Sequence, residues 1–237
     1  IAFPECSLPL SWSLEIAKKL GQRGVSFIAG IENRLSEPSL YSNDALVSLA
    51  SNFFGRSGSV CFIQPKIELS HLEAKHCEKH SKVFKSPGPI LGRPVYSHGG
   101  VCFGVVICSD LTAIGNRAHF QGNVDALFVL EWNPDVSTFE FLVESASHDL
   151  HAAIIQVNNR AYGDSRVRLP FAESFRRDMV RVKGGSEDFY VVCDVDFASL
   201  RDFQRGSSET KTFKPLPIGY VMSTYRKGSS RKSQVGL

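Results

Sequence analysis

The run Val101-Cys102-Phe103-Gly104-Val105-Val106-Ile107-Cys108-Ser109-Asp110 limits what this chain can fold into more than any other stretch. A continuous apolar segment rich in β-branched residues reads as a buried strand. It stops abruptly at Cys108, and the small and polar residues that follow suit a tight strand-to-helix turn. A thiol held at such a turn stands at the strand end, beside backbone N–H groups that can lower its pKa and bind an oxyanion. That geometry makes a nucleophile. A buried cysteine is also common core filler, so the reading depends on its company.

Two further segments supply it. Ile1-Ala2-Phe3-Pro4-Glu5 is an apolar run that closes on a carboxylate, and Val60-Cys61-Phe62-Ile63-Gln64-Pro65-Lys66 is an apolar strand that closes on a lysine. Three separate strands therefore end in Glu, Lys and Cys. Open α/β folds gather their working groups at the carboxyl ends of strands. A carboxylate base, a fixed cation and a thiol nucleophile suffice for acyl transfer.

Phe3-Pro4-Glu5, Lys66-Ile67-Glu68-Leu69 with Glu73 following, and Gly104-Val105-Val106-Ile107-Cys108-Ser109-Asp110 resemble the Glu, Lys and Cys motifs of the nitrilase-like carbon–nitrogen hydrolases. Order and intervals agree. Ala126–Leu130, Ile154–Asn159 and Asp194-Val195-Asp196 are similar to later strands of that family, so the resemblance spans nearly the whole chain. It implies an α/β fold, a four-layer α-β-β-α sandwich of two mixed sheets. The family carries a strand and a helix before its Glu motif, and here they are apparently missing. The expectation is a nitrilase-like domain over 1–210, N-terminally incomplete, and a basic C-terminal tail over 211–237.

The resemblance also assigns roles. Glu5 takes the thiol proton and returns it to the leaving amine, Lys66 stabilises the oxyanion together with the Ser109 N–H, and Cys108 forms the thioester. Glu73, with Glu68 as its rival, matches the second glutamate that positions lysine and substrate. Trp132 and Asn133 occupy a loop that contacts substrate in the family. Downstream of the cysteine, Asp110–Arg117 lacks the aromatic residue and the glutamate that many relatives carry there.

Composition narrows the rest. A chain of 237 residues, 43% hydrophobic and 22% charged, suits one α/β domain with a sizeable core. No apolar run reaches the roughly 20 residues that span a bilayer, and no charged leader precedes a cleavable apolar segment, so no membrane partner is expected. The six cysteines show no paired spacing and fit a reducing, cytoplasmic setting. Net charge is +3, yet six of the 27 basic residues follow Glu209, where no acidic residue remains. The body is thus mildly acidic, which argues against nucleic-acid binding through it. The Gly/Ser-containing end from Lys227 reads as a solvated terminus.

Apolar spacing predicts helices near Trp12–Gly21 and Ser137–His151, and strands over 1–5, 25–30, 60–64, 101–107, 126–130 and 153–158. Ser42-Asn43-Asp44 predicts a helix N-cap opening the segment 41–54, whose second half is more strand-like. Asp178–Val182 and Phe189–Val195 read as a hairpin around Gly184-Gly185. His76-Cys77-Glu78-Lys79-His80 has zinc-like spacing, but no second cluster completes it and a charged surface segment is the simpler reading.

The function expected is an amidohydrolase that cleaves a non-peptide C–N bond in a small-molecule amide, a carbamoyl compound or glutamine. No metal or organic cofactor is called for. A homo-oligomer is expected by analogy. The alternative is a regulatory or interaction module of a larger protein with a fused upstream domain, as in bacterial defence-associated reverse transcriptases, to which 175–183 bears a faint likeness.

Overall fold

The computed structural model describes residues 1–33, 39–84, 86–87, 93–207 and 211–228. Two sheets face each other. The first has the order β1 (Ala2–Leu8), β2 (Phe27–Ile31), β4 (Asp44–Phe53), β5 (Arg56–Pro65). The second runs β12 (Asp178–Lys183), β11 (Gly163–Arg168), β10 (Ala153–Asn158), β9 (Ala126–Glu131), β8 (Val101–Ile107), β7 (Tyr96–His98). A short parallel pair joins β3 (Leu40–Tyr41) to β6 (Val83–Phe84). Strands β8, β9 and β10 are mutually parallel and sit at the centre, where both faces are covered.

Strand alternation divides the interior into three clusters. Val47 and Leu49 of the first sheet meet Phe103, Val105, Ile107 and Leu130 of the second between the sheets. Their neighbours Leu127, Val129, Val106 and Ile154 point the other way, against helix α4 (Val136–Leu150) and the flanking α3 (Ile114–Phe120). Phe27, Ala29 and Leu46 point outward onto helix α1 (Leu10–Gly21). The layers are therefore helix, sheet, sheet, helix, and the expected four-layer sandwich is present. The described residues contain no helix long and apolar enough to cross a membrane.

The segment 41–54 corrects the sequence reading: it contains no helix. Asp44–Ala50 is buried on both faces between β2 and β5, and Val47 and Leu46 serve opposite layers, which only a period of two allows. Phe54 and Gly55, both at positive φ, then turn β4 into β5. The hairpin over 178–195 is also corrected. Strand β12 pairs with β11, and 189–195 joins no strand. Gly184 is pressed against Gly163, whose φ is +73°, so tightly that a Cβ on Gly163 would lie 1.9 Å from the Gly184 nitrogen. Strand β11 has no clear sequence signature, because its inward charges, Arg166 and Arg168, look exposed in sequence. They are buried beneath α4, where Arg168 meets Asp178 at 2.6 Å and Glu144 at 2.9 Å.

Part of the segment read as a basic tail is built into the body. Phe213 lies in the inter-sheet core and bridges to Phe171, and Met222 is buried. Arg226, in helix α5 (Thr224–Gly228), is fully buried, with Asp125 and Gln204 accepting from its guanidinium. Residues 229–237, which hold the Gly/Ser-containing end, lie outside the described residues.

One packing contact bears directly on the site. Gly30 of β2 lies against β1, and a Cβ there would stand 2.4 Å from the Glu5 Cα and the Pro4 carbonyl oxygen. Backbone cannot yield as a side-chain end can. Gly30→Ala is expected to destabilise the fold by about 2–4 kcal/mol and to displace Glu5. Urea unfolding, together with any activity of the chain, checks this.

Candidate active site

Glu5 sits in the middle of β1, one residue before an irregularity. Cys6 has φ 52°, and the register with β2 shifts between Phe3 and Leu8. A bulge of this kind bends a strand and re-aims its side chains. Glu5 is buried, and both of its carboxylate oxygens accept hydrogen bonds. Oε1 accepts from Lys66 Nζ at 2.9 Å and from Asn43 Nδ2 at 2.7 Å. Oε2 accepts from the Trp132 backbone N–H at 2.9 Å, which ties the first sheet to the end of β9 in the second.

Lys66 follows β5 directly, and its backbone N–H donates to the Asn43 carbonyl at 2.8 Å. Its ammonium is 1% exposed and lies between two carboxylates, Glu5 and Glu73, the latter at 2.7 Å. Burial alone would depress this lysine, but Glu5 and Glu73 outweigh it and hold the ammonium above its ordinary range. Glu73 answers in kind: burial pushes it up, Lys66 outweighs that, and its carboxyl titrates below its usual range.

Local sequence fixes Glu73. Helix α2 (His71–Lys79) opens with a capping box in which Ser70 Oγ accepts from the Glu73 N–H at 3.2 Å and Glu73 Oε2 accepts from the Ser70 N–H at 2.8 Å. The other oxygen accepts from Asn43 Nδ2 at 2.9 Å and from the Tyr41 hydroxyl at 3.4 Å. One amide, Asn43, thus donates to both carboxylates that flank the lysine.

Cys108 opens the 3-10 turn Cys108–Leu111 with φ 47°, a left-handed conformation unusual outside glycine. The first N–H groups of such a turn have no acceptor within it. The thiol feels the charges of Glu5, Lys66, Glu131 and Glu73, so strands from both sheets converge on it. Burial, reinforced by Glu5 and only partly offset by Lys66, pushes the thiol up. The resting sulfur is therefore protonated at neutral pH, and its activation requires a base to take that proton.

Asp110 locks the lysine loop to the cysteine turn. Its Oδ1 accepts from the backbone N–H groups of Ile67 at 3.0 Å and Glu68 at 2.8 Å, and its Oδ2 from Ile107 at 3.1 Å. Burial raises this carboxyl to about 6 against the pull of those three N–H groups. Asp110→Ala is expected to cost about 2–4 kcal/mol and to separate Lys66 from Cys108. Chemical denaturation compared with Glu68→Ala, an exposed neighbour, checks this.

Of the residues singled out in sequence, the structure brings together Glu5, Lys66, Glu73 and Cys108. Glu68 is exposed and contributes only backbone. The Ser109 hydroxyl donates to the Glu68 carbonyl at 2.6 Å, so it braces the two loops. Trp132 gives its N–H to Glu5 while its indole is half exposed. Asn133 exchanges hydrogen bonds with Asn158 and holds the Asp135 N–H; none of these bonds reaches Glu5, Lys66 or Cys108. Sequence reasoning missed Asn43, Tyr41 and Glu131. Asn43 lies in the Ser42-Asn43-Asp44 cluster whose local pattern predicts a helix cap, and no sequence signal marks the other two. The His76 and His80 rings lie against each other on α2, and the described residues hold no group of three or more His, Cys, Asp or Glu side chains able to bind a metal ion.

No protein-family model matches the sequence, and no curated protein matches it. Solved structures do match in shape. An amidase from Nesterenkonia sp. superposes with a TM-score of 0.51 at 18% identity, covering 68% of this chain and 58% of that one. In a glutamate-to-glutamine mutant of the amidase from Nesterenkonia sp. AN1, acrylamide is found joined to the active-site cysteine by Michael addition. A variant of the Nesterenkonia AN1 amidase, from the nitrilase superfamily, gives 0.56 at 15% identity over 78% and 73% of the two chains. A CN-hydrolase superfamily protein from Xanthomonas campestris, with an arsenic adduct in its active site, gives 0.62 at 12% identity over 86% and 74%. The chain spans less than two thirds of the length of the first of these amidase structures. The fold is nitrilase-like.

Proposed function

We propose that this chain is a carbon–nitrogen hydrolase that cleaves a small amide through a thioester on Cys108. The observation that carries the reading is the buried array in which Lys66 lies 2.9 Å from Glu5 and 2.7 Å from Glu73, with the Cys108 thiol in their field. Nitrilase-superfamily amidases of the same fold, one with a reactive active-site cysteine, support it.

In this reading Glu5 accepts the Cys108 proton as sulfur attacks the carbonyl carbon. The carbonyl oxygen becomes an oxyanion beside the Lys66 ammonium and the Ser109 N–H, and a preorganised donor of this kind is worth about 3–4 kcal/mol in the transition state. The proton on Glu5 passes to the leaving nitrogen as the C–N bond breaks. Glu5 then deprotonates water, which attacks the thioester; the acid departs and the sulfur regains its proton. Glu73 and Asn43 hold Lys66 and Glu5 in register. Because the resting sulfur carries its proton, catalysis depends on Glu5.

Ammonia release from a panel of primary amides tests this. The wild-type chain is expected to turn over at least one member, and Glu5→Gln to lose about 10²–10⁴-fold, the usual contribution of a positioned acid–base group. An active Glu5→Gln variant would refute the assignment.

A further inference from the structure

Beyond the hydrolytic array, buried acceptor atoms stand unmatched at Glu131, the last residue of β9, at Gln156 within β10, and at Asn43 before β4. The register that sets Ile107 beside Leu130 brings Cys108 alongside Glu131, and the two feel each other electrostatically. Glu131 is 0% exposed. Gln156 Nε2 donates to its Oε2 at 2.9 Å, but its Oε1 has no hydrogen-bond partner among the described residues. The side-chain oxygens of Gln156 and of Asn43 are likewise buried without a partner. A buried polar atom left unmatched is destabilising, and a ligand with N–H donors satisfies it.

Charge points the same way. Among the described residues Glu5, Glu73 and Glu131 stand against Lys66, while Arg166 beside Glu131 is engaged by the carboxylates of Asp164 and Glu140, although its Nε and Nη1 have no hydrogen-bond partner. With Glu131 ionised the carboxylates are in excess, so a carboxylate on the acyl chain is repelled and an ammonium is drawn in. Resting on the amidase reading above, we propose that Glu131 recognises an ammonium group on the acyl part of the substrate, so that the substrates are short amino-substituted amides. Burial, with Glu5 reinforcing it, raises free Glu131 to about 8. An ammonium seated beside it stabilises the carboxylate, so binding releases a proton.

β-Alaninamide and propionamide differ only by that ammonium, and Cys108→Ala holds amides without cleaving them. By calorimetry, Cys108→Ala is expected to bind β-alaninamide about tenfold or more tightly than propionamide, the scale of a hydrogen-bonded buried charge. Adding Glu131→Gln is expected to collapse that ratio. Equal affinities, no binding of either probe, or a ratio that survives Glu131→Gln overturns the proposal. Should the double variant fail to fold, pH decides. Glu5, Gln156, Asp164 and Arg166 face Glu131, and none of them distinguishes the two probes. β-Alaninamide alone is expected to bind more tightly as pH rises from about 6 to about 8; parallel or flat curves overturn the proposal. Failure of the amidase reading looks different: the affinity ratio stands, yet the wild-type chain releases no ammonia from either probe.

Discussion

Cys108→Ala is expected to abolish amide hydrolysis while leaving the sandwich folded. Removing the nucleophile from a covalent hydrolase costs about five to six orders of magnitude in kcat, whereas the small, partly buried thiol packs against two core clusters and its truncation costs the fold only about 1 kcal/mol. The turn is held by Asp110 and by the Ser109 hydroxyl, neither of which depends on the thiol. Ammonia release and a denaturant melt, run on one preparation, separate the two effects. Full loss of turnover with a melt within about 1 kcal/mol of wild type fits the account. Undiminished turnover contradicts it.

Lys66→Met is expected to strike stability as hard as chemistry. Methionine fills much the same space but leaves Glu5 and Glu73 facing each other without their shared cation. Breaking a buried ion pair from one side costs about 3–5 kcal/mol. The pH dependence has a definite sign. Glu73 titrates below its usual range in the folded chain, so its pairing with Lys66 contributes stability above the unfolded value and loses it as pH falls through the folded one. In the variant that contribution is absent, and protonation relieves the repulsion. The gap between wild type and Lys66→Met is therefore widest near neutrality and narrows below about pH 4. Urea midpoints across that range check it. A gap that widens in acid contradicts the arrangement.

What could be read from sequence follows from how locally each feature is encoded. Val101–Ile107 announces a central strand because every residue in it is apolar, and Cys108 stands out because polarity changes there within one step. Glu5 and Lys66 are legible for the same reason. Glu73 is marked by its interval from Lys66, and in the structure by the capping box it forms with Ser70. Asn43 could not be found this way. Its value lies in touching Glu5 and Glu73, thirty or more residues away along the chain, and locally it looks like a helix cap. Strand β11 was hidden by charge: Arg166 and Arg168 read as solvent-facing until Asp164, Asp178 and Glu144 are known to neutralise them. Glu131 was hidden because an acid ending an apolar strand ordinarily marks where the chain meets water, and here it remains buried.

Acid-quenching the full chain during turnover of a primary amide, then mapping its peptides by mass, interrogates the covalent step itself. The account predicts an added acyl mass on the peptide bearing Cys108, absent from Cys108→Ala and depleted in Glu5→Gln. Amide turnover that leaves Cys108 unmodified, or an acyl group carried by another of the six cysteines, would contradict it.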